Sequence, residues 1–364
     1  MNTPPAFATM HEIVLAARNN LSRSVWNYVT GAAETETTLR RNRACLDGLA
    51  LRPRILRDVR NIDTRTTFMG HSLRIPCLLA PIGSLQTITP EGGIAVAKAA
   101  AEFGTVNLVS TVTEPTLEEI QACVDHPKIF QIYIRGDEAW VDDLIDRARD
   151  AGYAALCLTV DSAYYGRRER QLITGWRPPS IQRFDENARA LQAGLTWEWM
   201  DRMRERGGLP FILKGVQTAE DAELAVEHGV DTIYVSNHGG RQMDHGDGTM
   251  EILKEVVAVA GGKAEIVVDG GFVRGTDVLK ALATGADAVA LGRFQGWALA
   301  AGGQAGLVNA LEIMEAEIRN TMGLIGVSSL DQLDPSFVKE ARAVDASNEL
   351  SAFPFLPEEI RGPQ

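Results

Sequence analysis

Cysteine is scarce in this chain, and its four copies (Cys45, Cys77, Cys123 and Cys157) lie far apart, with no Cys-x-x-Cys pair. That spacing argues against a disulfide framework and against a zinc site built on paired thiolates, and no metal is expected. Cys77 and Cys157 sit in the apolar runs "PCLLAP" and "ALCLTV", where a reduced thiol behaves as a small hydrophobe. Positive charge is also in deficit: 36 Lys and Arg against 48 Asp and Glu give a formal net charge of -12. Non-specific nucleic-acid binding depends on Lys and Arg countering phosphates, so no nucleic-acid partner is expected. A local basic pocket for a small anion remains compatible with that balance. No apolar run approaches the length of a membrane span, so no membrane partner is expected either. The opening "MNTPPAFATMHEIV" lacks a basic segment followed by an apolar one; no signal peptide is expected, and the expected location is the cytoplasm.

What the chain does have is enough apolar material for a large core. Its 364 residues are 45% hydrophobic and 23% charged, within the range of one large α/β domain or two average ones. Short, β-branched apolar runs recur at Pro76–Ile82, Val106–Val112, Ile129–Ile134, Ala154–Asp161, Pro210–Val216, Asp231–Asn237, Glu265–Gly271 and Ala288–Arg293. Near-continuous hydrophobicity is the signature of parallel strands buried on both faces. Between them lie amphipathic segments such as "AWVDDLIDRARDAG" and "TAEDAELAVEHG", with the start and stop residues of helices. Eight such units predict an α/β fold, a TIM (β/α)8 barrel, with a doubly wound open sheet as the alternative.

Residues 1–70 read as an N-terminal helical extension: "MHEIVLAARNN", "RSVWNYVTG" and "TTLRRNRACLDGL" are expected helices packing on the barrel. The barrel itself is expected over 71–325, with 326–364 as a C-terminal tail and the whole as a single domain. From about 170 to 208 runs the longest irregular connection, rich in Pro and Arg, with a helix towards its end; it reads as a lid.

In such barrels, chemistry gathers at the C-terminal strand ends. Those ends read Pro81-Ile82-Gly83, Ser110, Gln131 and Tyr133, Thr159 and Asp161, Lys214, Ser236 to His238, Asp269-Gly270-Gly271, and Gly292-Arg293. The last two form a candidate anion cradle, with glycines for close backbone approach and Arg293 for charge. His238, in "SNHGGRQMD", is a candidate general base, and Asp161 could hold its tautomer. A capping or structural histidine is the plainer reading. Arg241 and Arg168 suit a carboxylate, because a guanidinium grips one with a bidentate fork. For "GRRER" a solvated basic loop is the plainer alternative. Lys214 is either a core-edge lysine or a group facing a cofactor that gains negative charge.

Taken together, "SNHGGRQMD", "ILKGV", "LTVDSAYYGRRE", "VVDGGFVRGTDVLKALATGA" and "LGRF" resemble the FMN-dependent 2-hydroxy acid oxidase and dehydrogenase family. The resemblance runs from about Tyr28 to about Gly323 and includes "LRPRILRDV" and "LAPIG". It implies FMN as cofactor, a small 2-hydroxy acid as substrate and a homo-oligomer, a tetramer. By position it implies that His238 is the base paired to Asp161, that Arg241, Arg168 and Tyr28 hold the carboxylate, and that Tyr133 contacts the 2-hydroxyl. Lys214 would lie by the flavin N1–O2 edge. Pro81, Ile82, Gly83, Ser110, Gln131, Thr159 and Ser236 would face the isoalloxazine, with Asp269 on the ribityl hydroxyls. Gly270, Gly271, Gly292 and Arg293 would form the phosphate site.

Three departures from the family pattern carry expectations. Val273 stands where many relatives have an Arg for the phosphate, with Arg274 next to it as a substitute. Gly83 stands where several oxidases have Ala, which leaves oxidase against dehydrogenase open. Val112 replaces a Trp of glycolate oxidase, and Gly83 with Val112 is expected to leave room for a bulky, mandelate-like side chain. Oxidation of a modified peptide or amine is a further alternative. Two competing classes are a phosphate-binding barrel enzyme with a catalytic Cys, disfavoured because no Cys falls on a strand-end loop, and a non-enzymatic anion-binding barrel, which would not need His238, Asp161, Arg168 and Arg241 together.

Overall fold

A computed structural model of the chain describes residues 6–182 and 186–361. Its centre is a closed barrel of eight parallel strands: β1 (Cys77–Leu79), β2 (Asn107–Ser110), β3 (Lys128–Ile132), β4 (Ala155–Thr159), β5 (Phe211–Val216), β6 (Thr232–Val235), β7 (Glu265–Val268) and β8 (Ala288–Leu291). Each strand pairs with the next, and β8 closes on β1 through Val289 opposite Cys77 and Leu291 opposite Leu79. The closed sheet is the predicted TIM barrel and removes the open-sheet alternative. The apolar runs are continuous because these strands are buried on both faces: one set of side chains fills the lumen and the other packs under the helices.

The lumen is plugged at its N-terminal end by a hairpin, Thr66–Phe68 with His71–Leu73, whose Phe68 and Leu73 are fully buried among Leu78, Leu108 and Ile129. Polar strand ends are thereby confined to the opposite mouth. The three helices expected before the barrel form at Met10–Asn20, Arg23–Thr30 and Thr37–Asp47. Met10–Asn20 starts with a capping box between Thr9 and Glu12 and lies along the last long helix, Arg293–Ile325, which breaks at Gly302-Gly303.

Two expectations are corrected. The 170–208 connection is mostly helical, with helices at Glu169–Thr174, Pro179–Gln182, Glu186–Ala193 and Trp197–Gly207 around residues 183–185, which lie outside the described residues. "ENARALQA" has few breakers, and Thr196 caps the last helix by accepting from Trp199 N–H. Gln192 ties this cover to the barrel, accepting from Ile134 N–H at 2.9 Å. Nor is the C-terminal segment a loose tail. Val338–Glu340 pairs antiparallel with Leu49–Leu51, and Phe353, fully buried, meets Trp297 edge-on at 5.9 Å. Among the described residues, no helix is long and apolar enough to cross a membrane.

Candidate active site

At the C-terminal mouth a cleft of about 1200 Å³, solvent included, runs from Pro81–Gly83 to Gly270, Gly271, Gly292 and Arg293. Tyr28, Val112, Tyr133, Arg168, Lys214, His238 and Arg241 also line it. Predicted residues from six strand ends and from the N-terminal extension therefore meet in one place. Asp161, Ser110, Gln131, Thr159 and Ser236 stand behind the wall instead. Ser110 faces a neighbouring cavity that shares Val112, Arg135 and Ser180 with the cleft.

His238 is held between two groups. Its Nδ1 lies 3.0 Å from Asp161 Oδ1, and its Nε2 lies 2.9 Å from the Tyr133 hydroxyl. An ionised Asp161 accepts only, so Nδ1 carries the proton and Nε2 presents its lone pair to Tyr133. Burial lowers the His238 pKa, with Lys214 and Arg168 adding to the effect and Asp161 opposing it, so the imidazole is neutral near pH 7. Burial acts to raise Asp161, but His238 and Lys214 outweigh it and leave its pKa below the usual carboxylate value. Tyr133, pushed well above its ordinary pKa chiefly by burial and then by Asp161, keeps its proton.

Local sequence explains how these groups come so close. His238, Gly239 and Gly240 take φ of 58°, 64° and 77° in succession. A side chain at Gly240 would strike Leu39 N, 2.6 Å from an added Cβ. Gly215, at φ 113° in a bulge of β5, lets Asp161 pack at 2.8 Å from where a Cβ would be. Gly215 is a positioning element that the sequence reading missed; the "KG" at a strand end was the available signal.

The two arginines meet as expected, but through partners that sequence reasoning did not identify. Arg168 Nε donates to the Arg241 carbonyl at 3.2 Å, and its Nη2 approaches Gln242 Oε1 at 3.4 Å. Gly166 permits this, since a Cβ there would lie 2.4 Å from the Arg241 carbonyl oxygen. Arg241 Nη1 donates to the carbonyls of Tyr28 and Gly31, both at 2.7 Å. Burial first, and Arg168 second, push its pKa down to about 9. Two guanidiniums crowded at one cleft wall favour an anion arriving between them. The Tyr28 hydroxyl donates to the Gly83 carbonyl at 2.9 Å, beneath Trp176 of the cover at a ring separation of 5.4 Å.

Lys214, 3% exposed, donates to Ser236 Oγ at 3.0 Å and stands 4.0 Å from Asp269. Tyr234 also donates to Asp269 Oδ2, at 3.0 Å. Asp269 Oδ1 and Gln131 Oε1 are buried and accept nothing from the described residues. Gln131 donates to Thr159 Oγ1 at 2.9 Å. Gly270 and Gly271 adopt φ of 103° and 88°, and an added Cβ at Gly292 would meet open space. Open acceptors, a buried cation and a glycine-lined end fit FMN: hydroxyls and ring N–H groups for the acceptors, a ring that gains negative charge for Lys214, and a phosphate for the cradle.

Several details depart from expectation. Arg293 donates to the carbonyls of Thr30, Gly31 and Gly239, each at 3.0 Å, the backbone acceptors in reach of its half-buried side chain. Burial lowers its pKa to about 10, with Glu349 as the largest opposing charge. Arg274 does not line the cleft; it pairs with Glu317 at 2.6 Å. Gly83 and Val112 are expected together to leave room, but Val112 Cγ2 sits 2.7 Å from where a Gly83 Cβ would be and takes the space that Gly83 leaves. Glu349, from the C-terminal segment, lines the cleft and pairs with Arg170 at 2.8 Å. No motif pointed to it. Among the described residues no group of three or more His, Cys, Asp or Glu could hold a metal.

Known proteins share this fold. Residues 17–340 match the model of the FMN-dependent dehydrogenase family. The chain is 39% identical over 347 residues to the L-lactate oxidase of Nostoc sp., covering 88% of this chain and 95% of the relative. To the 4-hydroxymandelate oxidase of Amycolatopsis orientalis it is 38% identical over 343 residues, covering 89% and 96%. A crystal structure of mandelate oxidase superposes with a TM-score of 0.85 at 37% identity, covering 93% of this chain and all of that one. Fold and sequence together make this chain a member of the FMN-dependent 2-hydroxy acid oxidase and dehydrogenase family.

Proposed function

We propose that the chain oxidises a 2-hydroxy acid with a bulky, mandelate-like side chain to the 2-oxo acid and passes the electrons to oxygen. The observation that carries this reading is the Tyr133–His238–Asp161 hydrogen-bond chain beside the guanidiniums of Arg168 and Arg241. Arg168 and Arg241, with Tyr28, hold the carboxylate. The substrate hydroxyl enters between Tyr133 Oη and His238 Nε2, where a donor and a proton acceptor already face each other. His238 Nε2 takes the substrate proton, and Asp161 stabilises the imidazolium that results. Bound FMN supplies the two-electron acceptor that no side chain provides. Pro81–Gly83, Lys214 and Asp269 would hold its ring and ribityl chain, with Gln131, Thr159 and Ser236 behind them. Gly270, Gly271, Gly292 and Arg293 would hold its phosphate.

Support for the bulky side chain comes from Val112, at the boundary between the cleft and the second cavity. The mandelate oxidase neighbour and the hydroxymandelate oxidase relative point the same way. Oxygen as acceptor rests on the oxidase names of the relatives; Gly83 favours the alternative of a dehydrogenase with another acceptor. Anaerobic mixing with glycolate, lactate and mandelate, followed by air, tests both parts. Mandelate is expected to bleach the flavin fastest, and air to restore it with release of peroxide. Fast bleaching by glycolate alone would refute the large pocket, and slow recovery in air would make the enzyme a dehydrogenase. A homotetramer belongs to the same reading, and light scattering checks it.

A further inference from the structure

His238 occupies a backbone conformation that an L-residue rarely adopts, and two more left-handed residues follow it. Such a run persists only where the surroundings over-determine it. The constraint comes from outside the barrel, from the helix Thr37–Asp47. Asn42, fully buried on that helix, forms a reciprocal amide pair with Asn237, the residue before His238. Asn42 Nδ2 donates to Asn237 Oδ1 at 2.9 Å, and Asn237 Nδ2 donates to Asn42 Oδ1 at 2.7 Å. Each amide is bonded further. Asn237 Oδ1 accepts from Gly240 N–H at 3.1 Å, closing the turn that contains His238, and Asn237 Nδ2 donates to the Asp247 carbonyl at 2.9 Å. Asn42 Oδ1 accepts from Thr249 N–H at 3.0 Å, where the helix Thr249–Ala260 begins.

One side chain thus pins both ends of the 237–249 loop. It also abuts the anion cradle: an added Cβ on Gly270 would lie 3.2 Å from Asn42 Cγ, and one on Gly271 would lie 3.1 Å from the Asn42 carbonyl oxygen. The loop returns the constraint. Asp244 caps the start of the same helix, accepting from Thr38 N–H at 2.8 Å and from Thr35 Oγ1 at 2.7 Å. Against the opposing effect of burial, hydrogen bonds from Thr35, Thr38 and His245 hold that carboxyl down at a pKa of about 2.

We propose that Asn42 is a positioning residue for His238, a clamp from the N-terminal extension that sets the imidazole's place through Asn237. This rests on the reading of His238 as the base. Arg241, three residues on, is anchored separately by the Tyr28 and Gly31 carbonyls, so losing the clamp affects the base more than carboxylate binding.

The test uses FMN-loaded Asn42→Ala and Asn42→Asp. The second keeps side-chain size and the acceptor for Thr249 but removes the donor to Asn237, and it decides the matter if Asn42→Ala does not fold. Flavin reduction at saturating hydroxy acid is expected to slow by about tenfold to a hundredfold, the scale of a misplaced reacting group, with KM changing less. In a His238→Ala background the same substitutions are expected to add almost nothing, since residues acting through one another are non-additive. Additive losses would make Asn42 a merely structural residue and overturn the proposal. An independent readout is NMR titration of the His238 imidazole in histidine-labelled holoenzyme. Asp161, Tyr133, Lys214 and Arg168 face that ring, but burial is the largest influence on it. Loosening the clamp is therefore expected to move its pKa up towards the ordinary 6.5. An unmoved titration in both variants would also overturn the proposal. If His238→Ala alone left reduction at the wild-type rate, the assignment of the base would fail, while the titration would still report whether Asn42 holds the loop.

Discussion

The two ends of the cleft are built differently. At the base end, side chains have already found one another: Tyr133, His238 and Asp161 are joined within about hydrogen-bond length, and Gly215 and Gly240 exist so that neighbours can close in. At the cradle end the work falls to the backbone, with Gly270 and Gly271 at positive φ and Arg293 bonded to three main-chain carbonyls. A reacting proton needs one donor and one acceptor at fixed positions, which side chains supply. A phosphate needs several N–H groups converging on one point, which only a main chain bent tightly can supply.

If that contrast holds, disturbing each end should produce a different failure. The largest effect is expected from His238→Ala: flavin reduction slows by roughly 100-fold or more, the usual scale for a lost general base, while FMN stays bound. Stopped-flow absorbance checks the rate and the spectrum of the isolated protein checks the cofactor; a rate near wild type would remove His238 from the chemistry. Next comes Arg241→Lys, which keeps the charge and loses the planar fork. A loss of about 2 kcal/mol in transition-state binding, roughly thirtyfold in kcat/KM, is expected in steady-state assays.

The opposite failure should follow from Gly271→Ala. Forcing a side chain onto φ 88°, with its Cβ 3.1 Å from the Asn42 carbonyl oxygen, costs about 1–2 kcal/mol. FMN is then expected to bind about tenfold more weakly by fluorescence quenching, with enzyme that does hold FMN reacting at close to the normal rate. A large fall in the rate of the loaded enzyme would mean that the two ends are less separate than their construction suggests.

The smallest effect concerns pH. Burial lowers the His238 pKa, so the neutral base survives to lower pH than a free imidazole would. The sign follows directly: kcat/KM should hold as pH falls through 6.5 and drop only below it. A pH profile whose acid limb lies at or above 6.5 would contradict the buried, neutral imidazole.

The same contrast decided what could be read from the chain. The eight runs from Pro76–Ile82 to Ala288–Arg293 were legible because strands buried on both faces must be apolar throughout, and that pattern needs no partner to be recognised. His238, Asp161 and the glycine pair were legible for a related reason, as polar or glycine residues that break such runs at their ends. The cover between β4 and β5 was less so, since Pro and Arg in "GWRPPSIQRF" masked the helix Glu186–Ala193 that follows. Arg274 and Arg293 show the limit most clearly: composition placed cations near the cradle, but Glu317 and three backbone carbonyls decided where the guanidiniums point.

By itself, then, the order of residues determined the barrel, the mouth at which chemistry collects and the identity of the groups there, because hydrophobic period and turn chemistry are local properties. The tertiary structure alone decided the partnerships. Asn42 and Asn237 are 195 positions apart, Glu349 enters the cleft from a segment with no motif, and Val112 fills the space beside Gly83. Hydrogen bonds and close packing act over a few ångströms in space, and a chain's spacing carries no record of which distant segments folding will bring within that reach.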